Sequence, residues 1–399
     1  MKNNKLNSQP TKWPRVKLGE ICDLVNGDAY RESDWNTEGV PIIRIQNLNN
    51  PNKPFNYWTG NIDDRVVVKP GDVLLAWSGT PGTSFGTHRW TRGIGILNQH
   101  IFRVDLDTTR IDPEWAVFSI NEQLEEMIGR AHGAVGLRHV TKGECESLPI
   151  LLPPLTEQRR LSAWLREQMA EVERARAAVQ AQLDAAQILP TALLRDTFTS
   201  TAAQHWPCKK LEDVATLQRG RFSPRPRNNP IYFGGKFPFI QTGDVDLSDG
   251  YIREYKQTLN ELGFAVSKMF PVGTLVISIA ANIGGVGMLT FDSCMTDSLV
   301  GIQGISGVAD NRFLYFVLRH LRPYLQSIAP QMAQANLSIA LLGPVEINIP
   351  PLTEQKKIAT RLDAEFSATR SLTQTLETRL AEIELLPAAL VRSTFSQQN

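Results

Sequence analysis

The sequence concentrates guanidinium groups in one short segment of its second half. The segment spans nine residues and contains four arginines, Arg219, Arg221, Arg225 and Arg227. No acidic residue occurs between Val214 and Gly243. Guanidinium groups bind phosphate oxygens and guanine edges through paired N–H donors, and the intervening Pro and Gly residues favour an extended backbone. The segment is therefore a candidate nucleic-acid contact, and the alternative is a solvated loop whose charges only aid solubility.

A second set of candidate contacts lies in the first half of the chain. There, polar and basic side chains alternate with aromatic ones, and amide side chains lie on either side of this stretch. The candidates are Thr87, His88, Arg89, Arg92, Gln99, Gln46 and Asn47, with Gln241 at the matching place in the second half. Asn and Gln can pair with adenine in the major groove, and Arg can pair with guanine. Alternatively, Trp77 and Trp90 pack in the core and Asn98 closes a turn.

Composition requires any nucleic-acid contact to be local. The 42 Lys and Arg residues nearly balance the 41 Asp and Glu residues, so the formal net charge is only +1. The four cysteines are far apart and include no CxxC pair, so we expect neither a zinc site nor a disulfide framework. The sequence contains no phosphate-binding P-loop, no HExxH and no nucleophile elbow. We therefore predict no catalytic and no metal site in this chain.

An internal repeat determines the expected architecture. The hexapeptide PPLTEQ at 153–158 recurs at 350–355, an offset of 197 residues, and 15 of 46 positions are identical between 153–198 and 350–395. Residues 155–189 contain no Pro or Gly and are rich in strong helix formers. We expect a helix of about 33 residues, roughly 50 Å long, after each hexapeptide. Thr156 and Thr353 are the expected N-caps.

Each expected helix carries one narrow apolar stripe. The first stripe comprises Leu165, Met169, Val172, Val179 and Leu183. The second comprises Leu362, Phe366, Leu372, Leu376, Leu380 and Ile383. Steps of three, four and seven residues are typical of a coiled-coil seam. We predict that the two helices form an antiparallel coiled coil, and the alternative is that each helix packs separately on its neighbouring domain.

The remaining blocks read as two similar α+β domains. Each contains short β-branched runs bounded by Pro and Gly, which are typical of strands, followed by a helix expected at 113–128 and 311–328. The expected domains are 1–150, a helical region at 151–198, a second α+β domain at 199–348 and a second helical region at 349–399.

This order resembles the specificity subunits of type I restriction–modification enzymes. The resemblance covers nearly the whole chain and depends on the twice-occurring PPLTEQ helix start, together with IRIQNL at 43–48, WSGTPGTSFG at 77–86 and LNQHIF at 97–102. It implies two target-recognition domains in tandem repeat, each reading one half of a bipartite sequence in double-stranded DNA. Because the two halves differ most at the candidate contacts, the expected target is asymmetric.

The resemblance also implies partners. Two modification subunits that methylate adenine would dock on the helices, and restriction subunits would join them. S-adenosylmethionine, ATP and Mg²⁺ are then expected on those partners and none in this chain. A polar N-terminus and scattered cysteines favour a cytoplasmic protein with no membrane segment. The competing function is a coiled-coil scaffold whose two heads bind proteins or other ligands.

Overall fold

The structure is a computed structural model that describes residues 13–79, 85–123, 138–246, 248–329 and 337–396. The chain divides into two compact units. Unit 1 comprises Met1–Val179 and Arg379–Asn399, and unit 2 comprises Gln180–Thr378. Both long helices cross from one unit to the other, so this division differs from the four consecutive segments expected from the sequence.

Unit 1 contains an α+β head. Its strands are β1 Arg15–Lys17, β2 Cys22–Asn26, β3 Val40–Ile43, β4 Asn56–Trp58, β5 Val67–Val68, β6 Val73–Ala76, β7 Ser78–Gly79, β8 Gly86–Arg89, β9 Gly95–Leu97, β10 Ile101–Leu106, β11 Arg138–His139 and β12 Pro149–Leu151. Its short helices are α1 Ile45–Asn49, α2 Pro113–Glu122 and α3 Lys142–Glu146. Two four-stranded sheets, ordered β2-β10-β6-β8 and β4-β3-β9-β5, form the head with two β-ladders, β1-β12 and β11-β7.

Unit 2 repeats this topology. Its strands are β13 Cys208–Lys210, β14 Ala215–Arg219, β15 Phe233–Ile240, β16 Tyr251–Ile252, β17 Gln257–Leu259, β18 Met269–Phe270, β19 Leu275–Ser278, β20 Val286–Leu289, β21 Ser293–Met295, β22 Leu299–Gly304 and β23 Glu346–Asn348. The sheets are ordered β14-β22-β19-β20-β16 and β17-β15-β21-β18, beside a β13-β23 ladder. Each sheet thus has a counterpart in unit 1, and β16 is an added edge strand.

The helices differ from expectation mainly in length. The long helices are α4 Leu155–Thr199 and α12 Leu352–Ser396, each of 45 residues, and the others of the second half are α5 Thr201–Gln204, α6 Leu211–Val214, α7 Thr242–Asp246, α8 Glu261–Ala265, α9 Asn311–His320, α10 Arg322–Ile328 and α11 Ile339–Leu342. At 1.5 Å per residue each long helix spans about 67 Å rather than 50 Å.

The predicted ends of the long helices were wrong at both termini. Each helix continues through its internal proline, Pro190 or Pro387. An internal proline costs about 3 kcal/mol, but the turns beyond it bury Leu194 in unit 2 and Phe395 in unit 1, which offsets that cost. Thr156 and Thr353 are not N-caps, because each helix already begins at the preceding leucine.

The shorter predicted helices are only partly as expected. Helix α2 is described over Pro113–Glu122, and the predicted remainder from 124 lies outside the described residues. The predicted 311–328 helix is broken into α9 and α10 at Leu321, two residues before Pro323. Pro323 has no N–H to donate to the Arg319 carbonyl and its ring crowds that carbonyl, so α9 ends before it, whereas the first turn of α10 tolerates a proline.

The antiparallel arrangement of the long helices is confirmed. In unit 2 the end of α4 meets the start of α12, where Arg361 Nη2 donates to Thr197 Oγ1 at 3.0 Å. In unit 1 the end of α12 reaches the core that contains the start of α4, and Phe395 stacks on Trp115 with ring centroids 4.7 Å apart. The end of each helix therefore packs on the head that precedes the other helix.

Most of the predicted seam is buried. The buried members are Leu165, Val172, Val179, Leu183, Leu362, Phe366 and Leu376, and the half-buried ones are Met169, Leu380 and Ile383. The expectation for Leu372 was wrong, because this side chain is 45% exposed. Periodicity alone therefore does not determine which apolar residues of a long helix reach the contact face.

A buried glutamine attaches each long helix to its own head. Gln158 is 0% exposed; its Nε2 donates to the carbonyls of Pro153 at 2.7 Å and Arg110 at 3.0 Å, and its Oε1 accepts from the Asp112 amide at 2.7 Å. Asp112 in turn caps α2 through the amides of Glu114 and Trp115. The last residue of the hexapeptide therefore joins the start of the long helix to the start of the head helix.

The second repeat contains the same attachment. Gln355 Nε2 donates to the carbonyls of Pro350 at 2.8 Å and Val308 at 2.9 Å, and its Oε1 accepts from the Asp310 amide at 2.8 Å. Asp310 caps α9 as Asp112 caps α2. The repeated sequence is thus explained by a repeated buried hydrogen-bond network.

We predict that Gln158→Leu destabilises unit 1 strongly. The substitution leaves one amide and two carbonyls buried without partners, and each costs about 1–3 kcal/mol, so the free energy of unfolding should fall by about 3 kcal/mol or more. Denaturant unfolding of the whole chain measures this change. Gln187→Leu, on an exposed face of α4, is the matched control and should leave the midpoint nearly unchanged. Equal midpoints for the two variants would contradict the role given to Gln158.

Candidate nucleic-acid interface

One pair of parallel strands in each head brings polar residues to a single sheet edge. In unit 1, β3 and β9 run parallel with Ile43 opposite Leu97. In unit 2, β15 and β21 run parallel with Ile240 opposite Met295. The residues that follow these strands therefore meet at the same edge, and the backbone confirms it: the Asn98 amide donates to the Ile43 carbonyl at 3.1 Å. We call this the carboxyl edge of each head.

The end of a third strand reaches the carboxyl edge next to a glycine. A Cβ on Gly27 after β2 would lie 2.3 Å from the Leu97 carbonyl oxygen, and one on Gly220 after β14 would lie 2.1 Å from that of Thr296. These separations are too short for any side chain, so glycine is required at both positions. In unit 2 this close approach delivers the arginine segment to the edge.

The arginine cluster is organised around one acidic residue, Asp297. The carboxylate of Asp297 accepts from Arg227 at 2.8 Å and from Arg225 at 3.5 Å, while its backbone carbonyl accepts from Arg219 Nε at 2.6 Å. Asp297 lies in the turn between β21 and β22, about 70 residues from the arginines, so no local sequence pattern indicated it. Arg225 and Arg227 share this single carboxylate, so the segment with its four arginines keeps an excess of positive charge.

The four arginines do not have equal freedom. The side chains of Arg225 and Arg227 are 56% and 48% exposed. Arg221 is more constrained, because its Nε and Nη2 both donate to the Ser267 carbonyl, at 3.1 and 2.6 Å. Arg225 and Arg227 are therefore better placed to meet phosphate, and Arg221 joins the segment to the loop before β18.

Several candidates in unit 1 are structural residues. Asn47 is 1% exposed, and its amide accepts from the Arg44 backbone at 3.1 Å and donates to the carbonyls of Lys53 and Pro54. Thr87 is 2% exposed in the middle of the β8 pairing. The prediction that these two contact DNA was wrong, because each sits inside the fold.

The basic residues near β8 are also engaged within the head. Arg89 pairs with Glu114 of α2 at 3.0 Å. The Arg92 guanidinium lies 4.5 Å from the Trp90 ring centroid and 4.7 Å from that of Phe55, and it donates to the Pro51 carbonyl. His88 is half-buried, and desolvation lowers its pKa below the usual value. Arg89 is thus held against α2 and Arg92 against the loop at Pro51, so both guanidinium groups already have partners within the head.

The amide candidates divide by location. Gln99 is exposed in the turn at the carboxyl edge, and Gln46 is half-buried on α1. Gln241 also lies at the edge, where its Nε2 donates to Gln257 Oε1 at 2.6 Å. Gln99 and Gln241 therefore each lie at the carboxyl edge of their own head, and both remain candidate contacts.

Two residues at the edge of unit 1, Arg44 and Asn56, were not identified from the sequence. Arg44 directly follows β3, and its Nη1 donates to Asn56 Oδ1 at 3.2 Å. The offset of 197 pairs Arg44 with Gln241, so aligning the two repeats residue by residue would have found it. Asn47 and Asp244 align in the same way. The side chain of each accepts a hydrogen bond from the backbone amide three residues before it, which stabilises the first turn of a helix.

The heads offer little sign of catalytic chemistry. Burial raises the pKa of Cys22 and of Cys145 to about 12, so both thiols stay protonated at neutral pH and are poor nucleophiles. Within the described ranges, no group of three or more His, Cys, Asp or Glu residues is placed to hold a metal ion. In the same ranges, every helix is too short or too polar to cross a bilayer.

The repeated topology of the two heads agrees with a comparison of the chain with known protein families. Residues 10–176 and 204–384 each match the model of the type I restriction modification DNA specificity domain. The chain belongs to this family. The family thereby assigns the chain to DNA sequence recognition in type I restriction–modification.

Individual relatives agree with that assignment along the whole chain. The EcoBI specificity subunit of Escherichia coli is 21% identical over 98% of this chain and 87% of its own length. A solved chain from a study of complex assembly and conformational transition in the type I R-M system superposes with a TM-score of 0.75 at 22% identity, covering 97% of this chain and 98% of its own. The HsdS subunit from Thermoanaerobacter tengcongensis gives 0.68 at 20% identity, covering 99% of both chains.

We predict different effects for Arg227→Ala and Arg221→Ala. Arg227→Ala should weaken binding of any duplex and reduce the slope of log K against log salt by about 0.9, because one phosphate contact is lost. Arg221→Ala should lower the unfolding midpoint of unit 2 and change the slope less, since its guanidinium bonds to the Ser267 carbonyl. Salt titrations of duplex binding and thermal unfolding measure the two effects. A solvated loop would leave both variants like wild type.

Proposed function

We propose that this chain is the non-catalytic subunit that reads an asymmetric, bipartite target in double-stranded DNA, one half-site with each carboxyl edge. The observation that supports this most strongly is that the two heads share one strand framework but place different side chains at the same edge. Arg44 corresponds to Gln241, and Gln99 in the β9–β10 turn corresponds to Asp297 in the β21–β22 turn. Equal frames with unequal contact groups suit two unlike half-sites.

The carboxyl edges of the two heads also differ in charge. The edge of unit 2 carries the arginine cluster around Asp297. At the corresponding place after β2, unit 1 carries Asp28, whose carboxylate pairs with Arg65 at 2.6 Å. Phosphate attraction supplies much of the affinity of DNA-binding proteins. We therefore expect the head of unit 2 to contribute more salt-dependent DNA affinity than the head of unit 1.

The proposed partners are two modification subunits, with restriction subunits joining through them. S-adenosylmethionine, ATP and Mg²⁺ would then act on those partners in the cytoplasm, and this chain would supply no catalytic group. Each long helix carries two adjacent exposed apolar residues, which we call its apolar step. The two apolar steps support docking of one kind of partner twice. Ile188 and Leu189 are 65% and 40% exposed, and their repeat counterparts Leu385 and Leu386 are 69% and 43% exposed.

These apolar steps have matching surroundings. Each directly precedes the internal proline of its helix, and each is followed by an alanine and an arginine at equivalent positions, Ala192 with Arg195 and Ala389 with Arg392. Adjacent exposed apolar side chains are candidate contact surfaces, because a partner that covers them removes apolar area from water. Two equal surfaces on one chain would accept two copies of the same partner.

Methylation mapping tests the proposed function. With its modification subunit, the chain should direct adenine methylation to one asymmetric motif of two half-sites separated by a gap, and deleting the chain should abolish that motif. Inserting four residues after both Gln180 and Thr378 adds about 6 Å to each helix. At 3.4 Å per base pair the gap should grow by one or two base pairs with both half-sites unchanged. A scaffold protein would give no chain-dependent motif, and changed half-sites with an unchanged gap would contradict the spacing role of the helices.

We predict that charged substitutions at the apolar steps remove partners one at a time. Ile188→Asp or Leu385→Asp should reduce the assembled complex from two modification subunits to one, and the double variant should bind none. Native mass spectrometry counts the subunits. Trp164→Asp is the control, because Trp164 is 39% exposed but its repeat counterpart is Arg361 rather than an apolar residue. Two bound subunits in both single variants would exclude these steps as the docking surface.

A further inference from the structure

Arg44 with Asn56, and Gln241 with Gln257, occupy the same position in the two heads. In unit 1 the register pairs Ile42 with Asn56, and in unit 2 it pairs Phe239 with Gln257. Ile42 and Phe239 are equivalent in the repeat, as are Arg44 and Gln241 two residues later. Each pair therefore joins the residue after the central strand to the neighbouring strand at the carboxyl edge.

The pair in unit 1 presents mainly hydrogen-bond donors. Arg44 uses one N–H of Nη1 on Asn56 Oδ1, at 3.2 Å, and its guanidinium lies 4.5 Å from the centroid of the Trp35 ring. Nε, Nη2 and the second N–H of Nη1, together with the Asn56 amide, remain as donors. Stacking on Trp35 and the bond to Asn56 hold this set of donors in one orientation.

The pair in unit 2 presents a donor and an acceptor. Gln241 Nε2 donates to Gln257 Oε1 at 2.6 Å, which leaves Gln241 Oε1 as an acceptor, and Gln257 Nε2 and the second N–H of Gln241 Nε2 as donors. Both side chains lie at the surface of the edge, with Gln257 exposed and Gln241 half-buried. The two interlocked amides orient each other as Asn56 orients Arg44.

These two patterns match different bases in the major groove. Guanine offers two acceptors, N7 and O6, whereas adenine offers the N7 acceptor beside the N6 amino donor. We infer that Arg44 with Asn56 and Gln241 with Gln257 are corresponding base-reading pairs, which select guanine in one half-site and adenine in the other. This inference rests on the proposed function and adds to it which residues distinguish the half-sites.

A purely structural role makes a different prediction. Each pair also links two neighbouring strands, so it could serve only to hold the β3–β4 or β15–β17 pairing together. In that case substitutions would alter stability and leave the preferred base unchanged. Exchanging the pairs separates the roles, because each pair is already accommodated at this position in the repeat.

The test is a reciprocal exchange in the assembled complex with its modification subunits. The variants are Arg44→Gln with Asn56→Gln, and Gln241→Arg with Gln257→Asn. Selection from random duplexes and methylation mapping then give the motif of each. In the first variant one guanine position of one half-site should change to adenine by about tenfold or more in preference, with the other half-site and the gap unchanged. The second variant should change one adenine position of the other half-site to guanine.

Controls distinguish failure of this inference from failure of the proposed function. Lys69→Gln removes one positive charge from the same head at the opposite sheet edge and should leave the motif unchanged. A wild-type complex with no chain-dependent motif would overturn the proposed function itself. A wild-type motif that neither exchange alters, in variants with wild-type unfolding midpoints, would overturn only the base-reading pairs. Variants that unfold are replaced by the single substitutions Arg44→Gln and Gln241→Arg, with the same two outcomes.

Discussion

The structure depends on one buried hydrogen-bond network that occurs twice. Gln158 and Gln355 each satisfy two carbonyls and one amide where a long helix begins, and that amide belongs to the aspartate that caps α2 or α9 of the preceding head. A buried amide without these partners would be costly, so the geometry at the junction is closely specified. Each head is consequently held at a defined orientation to the helix that follows it.

A fixed framework leaves the carboxyl edge free to vary. The parallel strand pair and the two close-approach glycines determine where the edge lies, while the side chains placed on it belong to turns and strand ends. Substitutions there disturb few buried contacts. The two heads share one framework, although Arg44 of the first corresponds to Gln241 of the second. Under the proposed function, the fold can keep its core while the side chains at the edge, and with them the recognised sequence, change.

Much of the architecture could be predicted because it is repeated and local. The PPLTEQ hexapeptide, the helix formers after it and the apolar stripe indicated paired antiparallel helices between two α+β heads. The errors arose where tertiary contacts decide. Packing of Leu194 and Phe395 carries the helices past Pro190 and Pro387, and Asp297 reaches the arginine cluster from a distant turn. Thr87 appeared as a contact because its burial depends on pairing with β6, which the residues around Thr87 do not specify. Asn47 appeared as a contact because the sequence alone does not distinguish an amide that bonds to the nearby backbone of Arg44, Lys53 and Pro54 from one that bonds to a base.

The central claim is that the carboxyl edge of each head faces DNA. Photo-cross-linking in the assembled complex tests it most directly, with a photoreactive phenylalanine in place of Gln99 or Asp297 and a target duplex labelled in each half-site. The account predicts cross-links from Gln99 to one half-site and from Asp297 to the other. The same probe at Lys69 or Val272, beyond the strands that end at the opposite edge, should give none. Cross-links from Lys69 and Val272 but not from Gln99 and Asp297 would contradict the account.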